Sequence, residues 1–354
     1  MSYIAGIDLG SAHIKYCIVN VESKRSETGT IPLWIQSRDK IEVIKNAFSF
    51  LIENKLREYK IKYIGIVSSF EATFIPDPDK CIKIQKAILD TAEEKGYELY
   101  SINHQLKLVN LIKEEWIPLS VIYSIGYIAS LILKAGLLIH MNSASTVIAP
   151  VKNHKYVSIN PHKYTSGEAA WIGALLTPLS SISQHGLMFG NYCNLSPYGA
   201  YTGDVINVLF QKEFRKILEK LNASVKIDYK KSVGRFLQLL GQLQNSNGIY
   251  NFENQVKISA LMFYYDLLNK IRRMVFQVMS SIDANVDNMK FIVSGIGKDL
   301  VLKKVLSFTK NVYDIEEYLD PEICVNLESF GIIAAITKHK FDVNIIKYDD
   351  GELK

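Results

Sequence analysis

Tyr3-Ile4-Ala5-Gly6-Ile7-Asp8-Leu9-Gly10-Ser11-Ala12-His13-Ile14-Lys15-Tyr16-Cys17-Ile18-Val19 opens the chain, and its reading decides how every later segment is read. β-Branched and aromatic residues flank a short polar turn, the pattern of two strands in a hairpin. Asp8-Leu9-Gly10-Ser11-Ala12 supplies the small residues such a turn needs. Successive backbone N–H groups there form a nest for a phosphate, and a side chain at Gly10 would block its approach. Asp8 can hold a Mg²⁺ through water, because that ion prefers oxygen ligands and keeps much of its hydration. Lys15 lies two residues beyond His13, so both project from one face of the second strand, where a cation can meet a phosphate oxygen.

At 354 residues with 48% hydrophobic content, the chain is long enough for two domains with sizeable cores. The longest apolar runs, Ile125 to Leu133 and Ala135 to Ile139, are interrupted by Lys134 and are too short to span a bilayer. No secretory leader precedes the first strand, so a cytoplasmic location is expected, without membrane partners. Cys17, Cys81, Cys193 and Cys324 are far apart and form no C-x-x-C pair, as in a reducing compartment. A net charge of +5 from scattered lysines gives no nucleic-acid footprint. The seven histidines show no metal-ligand spacing.

Along the chain, a third strand is expected over Thr28 to Ile35, a helix over Ile41 to Leu56 and a buried strand over Ile61 to Val67. Glu71 follows the carboxyl end of that strand, where open α/β sheets place ligands. A helix over Lys80 to Lys95, a strand over Tyr97 to Ile102 and an apolar helix over Ser120 to Lys134, stopped by Gly136, complete a first domain of residues 1–134. A second strand, turn and strand then begins at Leu137, with His140-Met141-Asn142-Ser143-Ala144-Ser145 as the turn. This repeat argues for two similar halves, with a second domain over 135–340 and a charged tail over 341–354.

Within that second half, Tyr164 to Pro178 is expected to be an Ala-rich helix with Glu168 near its start, either as a cap or as a carboxylate directed at the cleft. Ser180 to Pro197 is expected to be a mobile loop over the site. Asp204 is expected to cap a helix over Val205 to Leu221. Further helices are expected over Ser232 to Leu243 and Asn254 to Ile282, the latter with Ile258, Leu261, Met262, Tyr265, Leu268 and Ile271 as its core stripe. A strand over Met289 to Val293 leads into Ser294-Gly295-Ile296-Gly297-Lys298, where a glycine pair before a helix lets backbone approach a nucleotide. Leu327 to Ile336 is a small-residue helix.

Asp8-x-Gly10, the repeated hairpin and Ser294-Gly295-Ile296-Gly297, taken in order, resemble the superfamily of actin, sugar kinases and heat-shock chaperones. The resemblance implies an α/β chain of two actin-like (ribonuclease H-like) domains with a cleft between them, the two turns facing one another over an anion. Gly6 to Lys15, Pro32-Leu33-Trp34, Ser166-Gly167-Glu168 with Gly173 and Thr177-Pro178, and Ala200 to Val205 are similar to the hydantoinase-related family linked to tetrahydromethanopterin one-carbon transfer. Its archaeal members include a synthase of methanofuran biosynthesis. The likeness spans nearly the whole chain.

That resemblance implies a Mg²⁺-dependent transferase that joins a furanylmethyl diphosphate to a tyramine phenol and releases diphosphate. Asp8 is then the metal-side carboxylate. Gly10, Ser11, Ala12 and Lys15 hold phosphate, with Asn142, Ser143, Gly295, Gly297 and Lys298 as further ligand contacts. Glu168 and Asp204 are bases or metal partners. The partner is a small phosphorylated molecule, ATP or a diphosphate-bearing substrate, and a homo-oligomer is compatible with the sequence. The departure from the family lies in the second hairpin, where His140 and Val147 replace acids and Asn142 replaces a glycine. A scaffold that has lost catalysis, or an ATP-dependent small-molecule kinase, are the rival readings.

Overall fold

The computed structural model describes residues 2–10, 12–33, 40–71, 77–221, 228–242 and 252–346. The chain divides into two compact units, one of Met1–Leu138, Ala149–Pro161 and Tyr313–Lys354, the other of Ile139–Ile148 and His162–Val312. The division is therefore not the single cut near residue 134 that the sequence suggested. The C-terminal segment belongs with the first unit, and the reason lies in that unit's sheet.

The first sheet is built from β1 (Tyr3–Leu9), β2 (His13–Asn20), β3 (Ser26–Pro32), β4 (Ile61–Ser68), β5 (Glu98–Ile102) and β6 (Leu108–Asn110), in the order β3-β2-β1-β4-β5-β6. β1 runs antiparallel to β2 and parallel to β4. Strands buried on both faces must be apolar along their whole length, which β1, β2 and β4 nearly are. Phe48, Leu51 and Ile52 of helix α1 (Lys40–Asn54) and Ile84 and Ile88 of helix α2 (Pro78–Glu94) complete the core of one layer. Asp77 caps α2, with a proline at its first turn.

The other face carries helix α3 (Val121–Ile132) and the C-terminal helix, Leu327–Phe341. Gly6 and Gly65 are register partners on β1 and β4. A Cβ on Gly6 would lie 2.0 Å from the Ser329 carbonyl oxygen, and one on Gly65 2.5 Å from Ile332. Two adjacent glycines thus form a flat spot on which the C-terminal helix beds. Gly331 meets Ser124 of α3 in the same way.

The second sheet contains β7 (Ala135–Met141), β8 (Thr146–Lys152), β9 (Lys155–Tyr156), β10 (Ala169–Ala170), β13 (Lys290–Ser294) and β14 (Val312–Asp314), in the order β10-β8-β7-β13-β14 with β9 on β8. The hairpin again sits beside the sheet's centre, as β1 and β2 do in the first sheet. The repeated arrangement of strands is the structural form of the repeat seen in the sequence.

Several expected elements differ. Tyr164 to Pro178 is not a helix; it holds β10 and turns. Its small residues serve close backbone packing rather than helix formation, since Gly167 has φ +80° and Gly173 abuts Ala144. Ser180 to Pro197 contains an ordered hairpin of β11 (His185–Met188) and β12 (Asn191–Asn194), turned by Phe189 and Gly190, both with positive φ. The helix expected from Val205 to Leu221 is two, α4 (Thr202–Leu209) and α5 (Gln211–Lys220), broken at Phe210.

Helix α6 (Tyr229–Leu239) precedes the long α7 (Glu253–Ser281), whose buried stripe is Val256, Ala260, Phe263, Leu267, Ile271, Val275 and Val278. Ile258, Leu261 and Tyr265, expected in the core, are exposed. Helix α3 ends at Ile132, and Gly136 lies in β7 rather than at a helix stop. A π-turn over Lys298–Leu302, α8 (Lys303–Val305), α9 (Pro321–Val325) and α10 (Leu327–Phe341) complete the fold. Expected features at Trp34, Ile35 and the tail from 347 lie outside the described residues. No described helix is long and apolar enough to cross a membrane.

Candidate functional site

The first turn lies where the carboxyl ends of β1 and β4 meet. Asp8 is the register partner of Lys15 on β2 and of Val67 on β4. Directly paired residues share a face, so the Asp8 carboxylate and the Lys15 ammonium emerge side by side. The Gly10 amide donates to the His13 carbonyl at 3.0 Å, and a Cβ on Gly10 would lie 2.8 Å from that oxygen. The Ala12 carbonyl accepts from the Leu33 amide at 2.8 Å. Ser11 lies outside the described residues.

Lys15 is buried, and its ammonium donates to both oxygens of Glu328, at 3.2 and 3.4 Å. Glu328 was not read as functional in the sequence. Its one signal there is an acid at the head of a helix that is apolar or small from Ser329 to Ile336. Ser329 donates to the Lys15 carbonyl and Ser124 to the Glu328 carbonyl, fixing α10 over the hairpin.

Glu71 joins this cluster. Its Oε1 accepts from Trp116 Nε1 at 2.7 Å and from Ser68 Oγ. Its Oε2 and Asp8 Oδ1 are buried and have no partner among the described residues. Burial, then the charge of Glu328, push the Asp8 carboxyl well above its usual value; Lys15 opposes them and Glu71 adds to the rise. Burial raises Glu71 as well. Burial and the Lys15 charge lower His13 to about 3, so its ring is neutral. Asp8 thus lies in the field of one ammonium, Lys15, and of two further carboxyl groups, Glu328 and Glu71.

Among the described residues no group of three or more His, Cys, Asp or Glu side chains is arranged to hold a metal ion directly. A hydrated Mg²⁺ asks for less, since it takes one or two carboxylates and fills the rest of its shell with water and substrate phosphate. Asp8, with one buried oxygen unused, fits that mode.

The second turn, in the other unit, is closed by the Asn142 amide donating to Ser145 at 2.8 Å. The Asn142 carbonyl accepts from Ala174, and the Ser143 carbonyl from Leu175 and Leu176. A Cβ on Gly173 would lie 2.4 Å from the Ala144 nitrogen, so the covering segment rests on the turn itself. Among the described residues no group accepts from the amides of Ser143, Ala144 or Ser145. Gly295, with φ +85°, and Gly297 both lie against Met141, whose carbonyl accepts from Gly297 at 3.2 Å. Their missing side chains make room for the end of β7. Lys298 is buried at the head of the π-turn. His140 is buried in β7 with Nδ1 3.1 Å from Ser294 Oγ.

Glu168 and Asp204 are both held by neighbours. Glu168 Oε1 accepts from Lys163 at 2.7 Å and Oε2 from Ser166 at 2.7 Å, with all three side chains buried. The pair clamps the loop before β10. Asp204 is not the N-cap of α4. Tyr201 holds that position, and Asp204 reaches back from the third helical position to its amide at 2.9 Å. Its other oxygen accepts from Ser232 at 2.7 Å and Arg235 at 3.2 Å, yet burial still raises its carboxyl. The Gly203 amide donates to Leu175, so α4 braces the segment that covers the second turn. Lys163, Ser232 and Arg235 carried no legible signal in the sequence.

No family model matches the chain. It is similar to (4-{4-[2-(gamma-L-glutamylamino)ethyl]phenoxymethyl}furan-2-yl)methanamine synthase of Methanocaldococcus jannaschii, at 20% identity over 95% of this chain and 98% of that protein. Among solved structures, an acetone carboxylase in its nucleotide-free state matches with TM-score 0.51 and 9% identity, over 94% of this chain and 70% of that one. A glucokinase from Streptomyces griseus, in complex with glucose and AMPPNP, matches with TM-score 0.44 and 12% identity, over 93% of this chain and 97% of that one. The fold is thus the mixed α/β fold shared with that acetone carboxylase, and the chain is a distant homologue of the Methanocaldococcus jannaschii synthase.

Proposed function

We propose that the protein is a transferase acting on a small diphosphate-bearing substrate, condensing a furanylmethyl diphosphate with a tyramine phenol. The observation that carries this reading is the unused, buried Oδ1 of Asp8 beside the first turn, in a chain that matches the archaeal synthase from end to end. The methylene carbon bonds to the phenol oxygen as its bond to the diphosphate oxygen breaks. The phenol proton passes to a base, and diphosphate leaves with the electron pair.

Mg²⁺, when bound, neutralises charge developing on the leaving diphosphate. Asp8 holds the metal side. At the first turn the Ala12 amide receives a phosphate oxygen, and in the other unit the amides of Ser143 to Ser145 form an anion-binding turn of their own. Lys15, anchored on Glu328, sets the field at Asp8. Glu71 Oε2, buried and raised, is a proton acceptor within the field of Asp8, whereas Glu168 and Asp204 serve by holding the loops around the second turn. ATP in place of the diphosphate substrate is the kinase form of the same reading.

A second reading is favoured by the second hairpin. It carries no carboxylate, and His140 is taken up by Ser294. On that view the protein keeps the fold and a phosphate compound but not turnover. Mass spectrometry separates the two: an arylmethyl diphosphate and tyramine incubated with Mg²⁺ yield the ether and free diphosphate under the first reading, and Asp8→Ala yields neither. Ligand binding without product supports the second.

A further inference from the structure

In the second unit, one face of α7 is turned toward the β11–β12 hairpin, and its residues recur at helical spacing: Gln255, Ser259, Met262, Asp266 and Lys270. The ends of this stripe are occupied. Gln255 accepts from the Phe189 amide at 2.9 Å, and Ser259 donates to the Leu187 carbonyl. Lys270 donates to the Ser181 carbonyl at 2.5 Å. The hairpin and the segment before it are therefore tied to the helix at both ends of the stripe, and the middle is left open. Met262 and Asp266 lie there, in an open surface depression of about 470 Å³ that Tyr192, His185 and Ser183 complete.

The chemistry of this gap is specific. Among the described residues Asp266 has no hydrogen-bond or ion-pair partner, although Lys270 lies one turn away on the same face, because that ammonium is committed to Ser181. The Tyr192 side chain is exposed, and with Met262 it offers an apolar, polarisable wall. A carboxylate beside an aromatic face and a thioether suits an organic cation, which gains a charge-assisted bond at one end and ring contacts along its body. The volume falls in the range of small-molecule sites. His185 and Ser183 are polar groups for a ligand's far end.

We propose that this gap between α7 and the β11–β12 hairpin is a binding site for a small primary ammonium compound with an aromatic body. It is separate from the first turn and does not depend on the transferase reading.

Isothermal titration of the full chain with benzylamine, benzyl alcohol and benzoate tests it. Benzylamine is expected to bind, and the neutral and anionic analogues to bind roughly tenfold or more weakly. Asp266→Asn is expected to weaken benzylamine by about tenfold, and Tyr192→Ala to weaken it severalfold. Circular dichroism checks that both variants are folded. Asp8→Ala is expected to leave benzylamine binding unchanged, which keeps this site distinct from the first turn. No benzylamine binding at about 10 mM, equal binding of benzyl alcohol, or full binding by folded Asp266→Asn would overturn the proposal.

Discussion

Lys15 Nζ lies 3.2 Å from Glu328 Oε1, joining the second strand of the chain to its last helix, with both side chains sealed from solvent. The bond fixes α10 on the first sheet and sets the charge beside Asp8. Removing one member of a buried pair leaves the other uncompensated. Glu328→Ala is expected to destabilise the first unit by about 3–5 kcal/mol. Urea denaturation measures it, and a loss below about 1 kcal/mol would show that the pair is not sealed in solution.

Asp8 carries a cost in the folded chain. Its carboxyl titrates higher folded than unfolded, so its contribution to stability is fully present below the ordinary value of 3.8 and is lost as pH rises through the raised folded value. Asp8→Asn is therefore expected to be more stable than wild type at pH 8 in metal-free buffer, with the difference closing toward acid pH. Denaturation midpoints across that range check the sign. A variant less stable at pH 8 would contradict it.

His13 has the opposite dependence. Held near 3 against an ordinary 6.5, it contributes stability that is present above 6.5 and lost as pH falls toward 3. The loss is about 1.4 kcal/mol per pH unit within that window. His13→Gln is expected to remove this slope when wild type and variant are compared at pH 6 and pH 4.5. Parallel curves would mean that the ring is solvated.

Gly173 sits where a Cβ would meet the Ala144 nitrogen at 2.4 Å, a backbone contact that cannot swing aside. Gly173→Ala is expected to cost about 1–3 kcal/mol and to displace the segment covering the second turn. Thermal melts measure the cost. Retained stability would show that the segment is free to move.

How far the sequence could be read follows from the range of the forces involved. The first hairpin was legible because strand propensity, turn chemistry and Asp-x-Gly spacing agree within a few residues. The second hairpin was legible as its repeat. Glu328 was hidden because its partner lies 313 residues away, and only the bedding of α10 on Gly6 and Gly65 brings them together. Tyr164 to Pro178 misled because alanine and glycine suit a helix and close backbone packing equally, and tertiary contacts with the second turn decided between them. The β11–β12 hairpin was missed because its strands are short and its anchors, Gln255 and Ser259 of α7, lie far along the chain, and the exposed Ile258, Leu261 and Tyr265 imitated a core stripe.

The direct test of the Asp8 assignment is calorimetric titration of diphosphate, with and without Mg²⁺, into wild type and Asp8→Ala. Wild type is expected to bind diphosphate more tightly with Mg²⁺ present, and Asp8→Ala to lose the Mg²⁺-dependent part. Equal binding by the two proteins, or no binding to wild type at millimolar diphosphate, would contradict a phosphate site at the first turn.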